Sequence, residues 1–198
     1  MDRADCLPLT DPERLWTCDE VLASPSPVPR RGGVYGWYFR DVPPVVPTEG
    51  CVQRGLFTLL YAGISPKQPP RNGRAPSAQT LLHRVRYHMR GNAEGSTLRL
   101  TLGCLLSERL GLELRRVGSG RRMTFGHEGE AALSEWLSSN ARVAWCEHER
   151  PWELEAECIR ALSLPLNLAQ NASHPFHPAL SSIRAAAKAR ARALPVLK

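Results

Sequence analysis

Residues 33–63 read GVYGWYFRDVPPVVPTEGCVQRGLFTLLYAG, and the two ends of this stretch decide the fold. GVYGWYF (33–39) and LFTLLYAGI (56–64) are rich in β-branched and aromatic residues and are bounded by Gly, Pro and charge, as strands are. Between them DVPPVVPTEG (41–50) holds three prolines and a glycine, which cannot continue a ladder. The stretch reads as a hairpin with a long loop, its strands at 33–40 and 56–64. Tyr35 and Tyr61 then lie on neighbouring strands.

Upstream, residues 1–32 read as an extension: a short helix near DPERLWTCDEVLA, then a SPSPVPR linker. Downstream, SPKQPPRNGRAPS (65–77) is a Pro-, Gly- and Arg-rich loop. Ser77 or Thr80 is the expected cap of a helix running to about Met89. GNAEG (91–95) separates it from a second helix over about 96–110, and 113–125 suits a strand or hairpin around VGSGRRMTF. A helix over Glu128–Ser139, a third strand at ARVAWCE (141–147) and a helix over Glu153–Leu162 follow. An Ala/Arg-rich helix over Ser182–Ala193 closes the chain before Pro195, and no internal repeat is present. The expected class is α+β: a small antiparallel three-stranded sheet flanked by helices, with extra helices and a basic C-terminal helix.

Two of these helices carry chemistry. On a wheel at 100° per residue, TLLHRVRYHMR (80–90) gathers Leu81, Leu82, Val85 and Met89 into one buried arc. Arg84 and His88, four residues apart, lie along one edge of that arc, where their side chains can meet. Arg86 falls on the opposite edge and Arg90 on the outer face. In WELEAECIRALSLPLN (152–167) the apolar face is Leu154, Cys158, Ile159, Ala161 and Leu162. Glu155 lies on that face, while Glu153 and Glu157 point away. A carboxylate on a buried stripe is costly unless paired, protonated or bound to metal. A salt bridge to an arginine and a metal site both meet that condition.

Taken in order, GVY at 33–35, YAG at 61–63, Arg84 and His88, Glu155, and Asn167 after Pro165 resemble the signature of the GIY-YIG nuclease superfamily. The arginine–histidine pair and the long insertion between the tyrosines are most similar to its restriction-endonuclease branch. YAG stands where the superfamily name has YIG. The resemblance covers about residues 33–167. It implies a GIY-YIG-like catalytic domain over 33–180, between the extension at 1–32 and a basic C-terminal helix or tail at 181–198. It also implies divalent-metal-dependent hydrolysis of DNA phosphodiester bonds, in restriction or defence.

Such hydrolysis needs charge neutralised on the phosphoryl and leaving oxygens, and an activated water. By resemblance, Glu155 holds a single Mg²⁺ (or Mn²⁺), an ion that keeps several waters and needs few protein ligands. Arg84 clamps the scissile phosphate with its matching fork. Tyr35 is the implied base, and a tyrosine of pKa near 10 needs a neighbouring cation or metal for that role. His88 assists it, Tyr61 orients the phosphate or the water, and Asn167 tethers the glutamate helix to the substrate side.

The net charge of +7 suits a polyanionic partner. Residues 1–20 carry six acidic and two basic side chains, and residues 181–198 carry five basic and no acidic ones. Lys67 beyond YAG, Arg71 and Arg74 in the loop, and Arg86 and Arg90 on the arginine helix are expected backbone contacts. So are Arg184, Lys188 and Arg192, each four residues from the next on one helix face; a solvated face fits the same pattern. DNA is the expected partner, with RNA an open alternative and a homodimer left open. No run of about 18 apolar residues occurs, so no membrane span is expected. The opening MDRADCLPLTDPERLW has no apolar core of a secretory signal, and the six cysteines are scattered without zinc spacing. Free thiols in the cytoplasm are the expectation. A repair or structure-specific nuclease, an RNase toxin and a non-cleaving binding module are the competing readings.

Overall fold

The strand Gly33–Phe39 is buried along its whole length, and the remaining layers are built on it. The computed structural model describes residues 6–70 and 77–197. From the amino end the elements are α1 (Leu7–Thr10), α2 (Cys18–Leu22), β1 (Gly33–Phe39), β2 (Gln53–Arg54) and β3 (Phe57–Ser65). Next come α3 (Leu81–Arg90), α4 (Thr97–Leu105), α5 (Ser107–Leu110), β4 (Arg115–Val117) and β5 (Arg122–Thr124). Then follow α6 (Gly126–Asn140), β6 (Ala141–Glu147), α7 (Pro151–Ala161) and α8 (His177–Ala193).

The main sheet is antiparallel in the order β2-β3-β1-β6, and β4 and β5 form a separate hairpin. The expected α+β class is therefore present, with four strands in the sheet rather than three. The added strand is β2, two residues long, which turns into β3 through Gly55 at φ +58°. Two residues carry no periodicity to read.

Helices cover both faces, which is why β1 reads as a continuous apolar run rather than an alternating one. Tyr35, Trp37 and Phe39 face the larger core with residues of α2, α3, α4, α6 and α8. Val34, Tyr38, Leu59 and Ala62 face a second core closed by α7 and by Leu9 of α1. Trp37 pairs with Tyr61 but Tyr38 pairs with Leu59, so β3 bulges at Leu60. The bulge lets Leu60 and Tyr61, adjacent in sequence, both enter the larger core.

Residues 6–32 pack against this sheet. Thr17 and Glu20 form a capping box on α2, each side chain bonding the other's backbone N–H. Trp16 exchanges backbone hydrogen bonds of 2.9 and 3.0 Å with Val143 and stacks on Trp145. This strap closes the outer edge of β6. Elsewhere the expected 96–110 helix breaks into α4 and α5, and α8 begins at His177 rather than Ser182, with a proline in its first turn. Among the described residues no helix is long and apolar enough to cross a membrane, and none of the cysteines forms a disulfide.

Among the described residues one charged side chain is fully buried: Arg99 of α4 is 0% exposed. It donates to Glu130 Oε2 at 2.7 and 2.9 Å, and to the carbonyls of His88 and Met89 at 3.2 and 3.0 Å. The last-turn carbonyls of α3 thereby gain a partner that the helix cannot supply, and α3, α4 and α6 are tied at one point. Arg99→Ala is expected to cost about 3–5 kcal/mol, because it leaves the Glu130 carboxylate without its cation. Denaturant unfolding measures this, and a loss under about 1 kcal/mol would mean the pair is dispensable.

Candidate active site

A cleft of about 400 Å³ opens where β1 and β3 meet α3, α4, α7 and the segment after α7. Tyr35, Tyr61, Lys67, Arg84, Glu155 and Asn167 all line it. His88 does not. It is 0% exposed and stands behind Tyr35, within a cage of the Tyr35, Trp37 and Tyr61 rings.

Tyr35 Oη lies 2.7 Å from His88 Nε2, and His88 Nδ1 lies 2.7 Å from Ser96 Oγ. Ser96 in turn accepts the Arg99 backbone N–H at 3.1 Å, capping α4. Burial pushes His88 well below the usual histidine range, and the cations Arg84 and Arg99 push it further the same way, so the ring stays neutral. Burial raises the Tyr35 hydroxyl well above its ordinary value, Tyr61 adding to the rise and Arg84 opposing it. Tyr61 is pushed up to about 12, again by burial first and against Arg84. Both tyrosines are therefore neutral phenols at neutral pH.

The glycine of YAG has a steric reason. A Cβ at Gly63 would lie 2.6 Å from Tyr35 Oη and 2.8 Å from its Cζ, so the Tyr35 ring crosses β3 where only glycine leaves room. Gly63→Ala is expected to cost about 1–3 kcal/mol of stability by overpacking and to shift Tyr35 off His88, lowering turnover. Unchanged unfolding and turnover together would show that the ring has space to move. Ala62 faces the opposite way, into the core beneath α7. The departure from YIG thus falls on a packing face and not in the cleft.

Arg84, on α3, has Nη1 donating to the Gly95 carbonyl at 2.7 Å, which holds its guanidinium at the cleft wall. Glu155 is carried by α7, whose Leu154, Cys158 and Ile159 are buried in the second core. It is the one acidic residue among the described residues of the cleft. Burial pushes its carboxyl up to about 7, and Lys67 pulls only weakly against that. Asn167 accepts the Ala62 N–H at 2.9 Å and donates to the Ala62 carbonyl at 2.8 Å. This two-point clasp fixes the segment after α7 to β3, one residue from Tyr61.

The family defined by the GIY-YIG catalytic domain matches residues 33–186. The chain belongs to this family. It is therefore a nuclease, a phosphodiester hydrolase whose substrate is nucleic acid. The match spans every cleft residue named above. No curated protein and no solved structure matches the chain.

Other residues expected at the site of this GIY-YIG domain lie elsewhere. Arg86 donates to the carbonyls of Val21, Leu22 and Ala23 at 3.2, 3.4 and 2.7 Å, so it is engaged on the end of α2. Arg90 is exposed at the end of α3, outside the cleft. Arg71 and Arg74 lie outside the described residues. Arg184, Lys188 and Arg192 share a second groove of about 360 Å³ with Arg121 from the β4–β5 turn.

The structure also adds residues to the site. Trp152, Thr97 and Gln170 line the cleft, and Ser96 supports His88. Trp152 precedes Glu155 by one turn on the same helix, a spacing that marks it as a neighbour. Ser96 and Thr97 carry no comparable local signal.

Proposed function

We propose that the chain is a divalent-metal-dependent endonuclease that hydrolyses DNA phosphodiester bonds, acting in restriction or defence in the cytoplasm. One observation carries this reading: a single cleft gathers two tyrosines, an arginine and a half-buried carboxylate without a hydrogen-bond donor among the described residues. The arginine–histidine pair on α3 and the long β1–β3 connection favour the restriction branch over repair nucleases.

A hard divalent cation fits Glu155. The carboxylate is desolvated enough to be pushed up to about 7, and Lys67 does not neutralise it. Among the described residues no three of His, Cys, Asp and Glu cluster as metal ligands, which suits an ion completing its shell with water and phosphate oxygens. Bound there, Mg²⁺ or Mn²⁺ would neutralise charge developing on the phosphoryl and leaving oxygens.

The chain's own groups do the rest. Arg84 presents its fork to the scissile phosphate. With Nδ1–H donated to Ser96 Oγ, His88 Nε2 is left to accept the Tyr35 O–H. As the attacking water oxygen bonds phosphorus, its proton passes to Tyr35 Oη while the tyrosine proton moves to His88 Nε2. The phosphorus bond to the leaving 3′ oxygen breaks in the same event. The leaving 3′ oxygen departs as an alkoxide and takes a proton from solvent. His88, held weakly basic by burial and two arginines, releases its proton through Tyr35 Oη to water in the cleft, so that the net reaction consumes one water. Tyr61 orients the phosphate, Asn167 positions the wall that carries Glu155 toward it, and Lys67 contacts the backbone.

The test is purified protein with and without Mg²⁺, offered plasmid, duplex and single-stranded DNA, and tRNA. Metal-dependent cleavage of duplex DNA is the expected result. Cleavage of tRNA alone would identify an RNase, and binding of all substrates without cleavage would identify a binding module.

A further inference from the structure

We infer that the groove between α8 and the β4–β5 turn is a second phosphate subsite, which seats the DNA backbone beside the linkage held in the cleft. The inference rests on the nuclease reading above. Lys188 and Arg192 of α8 line the groove with Arg121, and Arg184 lies at the same wall. A solvated helix face accounts for the spacing of the α8 cations. It does not account for Arg121, which arrives from a hairpin more than sixty residues away in sequence. Among the described residues none of these four cations is in an ion pair. Glu94 is the one carboxylate on the rim, and its Oε2 accepts the Met123 N–H at 2.8 Å.

The groove adjoins the cleft. Thr97 belongs to the walls of both, and it is the first residue of α4. The amino end of that nine-residue helix, with its positive dipole, therefore lies at the divide. Arg184 stands on the same divide. It donates to Thr101 Oγ1 at 3.3 Å, and it is near enough to Tyr61 for each to alter the other's ionisation. A strand whose scissile phosphate meets Arg84 and Glu155 can thus pass Thr97 and lay its next phosphates on Arg184, then on Lys188, Arg192 and Arg121. A row of unpaired cations fits repeated phosphates better than it fits a single small anion.

The experiment compares the full chain with Arg121→Gln/Lys188→Gln/Arg192→Gln, leaving Arg184 intact because it borders Tyr61. Binding to a duplex oligonucleotide is followed against salt with Glu155→Gln added to both proteins, so that no cleavage intervenes. The triple variant is expected to flatten the log-affinity versus log-salt slope by about 2–3. With Glu155 restored, KM for the oligonucleotide should rise and kcat at saturation should hold, since these contacts are alike in ground and transition states. Hydrolysis of bis(4-nitrophenyl) phosphate, which fills only the cleft, should be unchanged. Equal salt slopes overturn the groove while leaving the nuclease reading in place. An equal fall in hydrolysis of the small diester also overturns it, because the three cations would then act in the cleft. If the unmodified protein cleaves neither substrate, the nuclease reading fails, and the binding slopes still decide the groove.

Discussion

Glu155→Gln is expected to abolish cleavage, by about 10³-fold or more, with the fold retained. The change removes charge and almost no volume from the one acidic residue described in the cleft. Stability gives an independent reading. In the metal-free protein burial raises this carboxyl from 4.5 to about 7. Across that window the folded state holds a proton that the unfolded state has released, so stability falls as pH rises. Glutamine has no proton to lose. The variant should therefore match the parent near pH 4 and exceed it near pH 8, by on the order of 1–3 kcal/mol after solvent screening. Added Mg²⁺ should raise the melting temperature of the parent at pH 8 and leave that of the variant alone. Near-normal turnover in Mg²⁺ would sink the assignment, and Glu153→Gln and Glu157→Gln, on other faces of α7, should leave turnover intact.

Tyr35→Phe and Arg84→Ala should each lower kcat by about 10²-fold or more, the usual scale for one acid–base or charge-stabilising group. Tyr35→Phe deletes one oxygen and keeps the ring that packs over Gly63. It leaves the buried His88 Nε2 without its partner, which should cost about 1–3 kcal/mol. Unfolding measured beside turnover separates chemistry from packing: a Tyr35→Phe protein that stays folded but turns over about 10²-fold slower has lost a chemical step. A fully active Tyr35→Phe enzyme would return Tyr35 to the core.

Local pattern made much of this visible from sequence. The tyrosine hairpin, the Arg84 helix and the Glu155 helix were legible because strand propensity and helical periodicity are properties of adjacent residues. What stayed hidden depends on partners distant in the chain. Arg99 reads as an ordinary helix charge until Glu130 arrives from another helix. Arg86 reads as a phosphate ligand, and only the end of α2 explains it. The histidine also changes meaning. The wheel puts His88 at the core edge beside Arg84, and the layers above bury it behind Tyr35. β2 escaped notice because two residues between a proline-rich loop and a turn have no pattern. Arg121 follows a flexible Gly-Ser-Gly that suits a phosphate contact and an ordinary turn equally, because such a turn does not say what it folds against.

The strap at Trp16 separates two boundaries that are easily taken as one. The family signature starts at Gly33, and a fragment cut there keeps every residue of the cleft. That fragment also loses Leu9 from the second core and bares the backbone donors and acceptors of β6 that Trp16 had met. An open strand edge beside uncovered apolar surface is a template for another chain. On a sizing column the trimmed protein should elute as strand-paired oligomers or aggregate, while the untrimmed chain shows no association through that edge. The shortest piece that can cut and the shortest piece that can be handled are thus different lengths, and expression boundaries drawn from the motif alone would discard the edge guard.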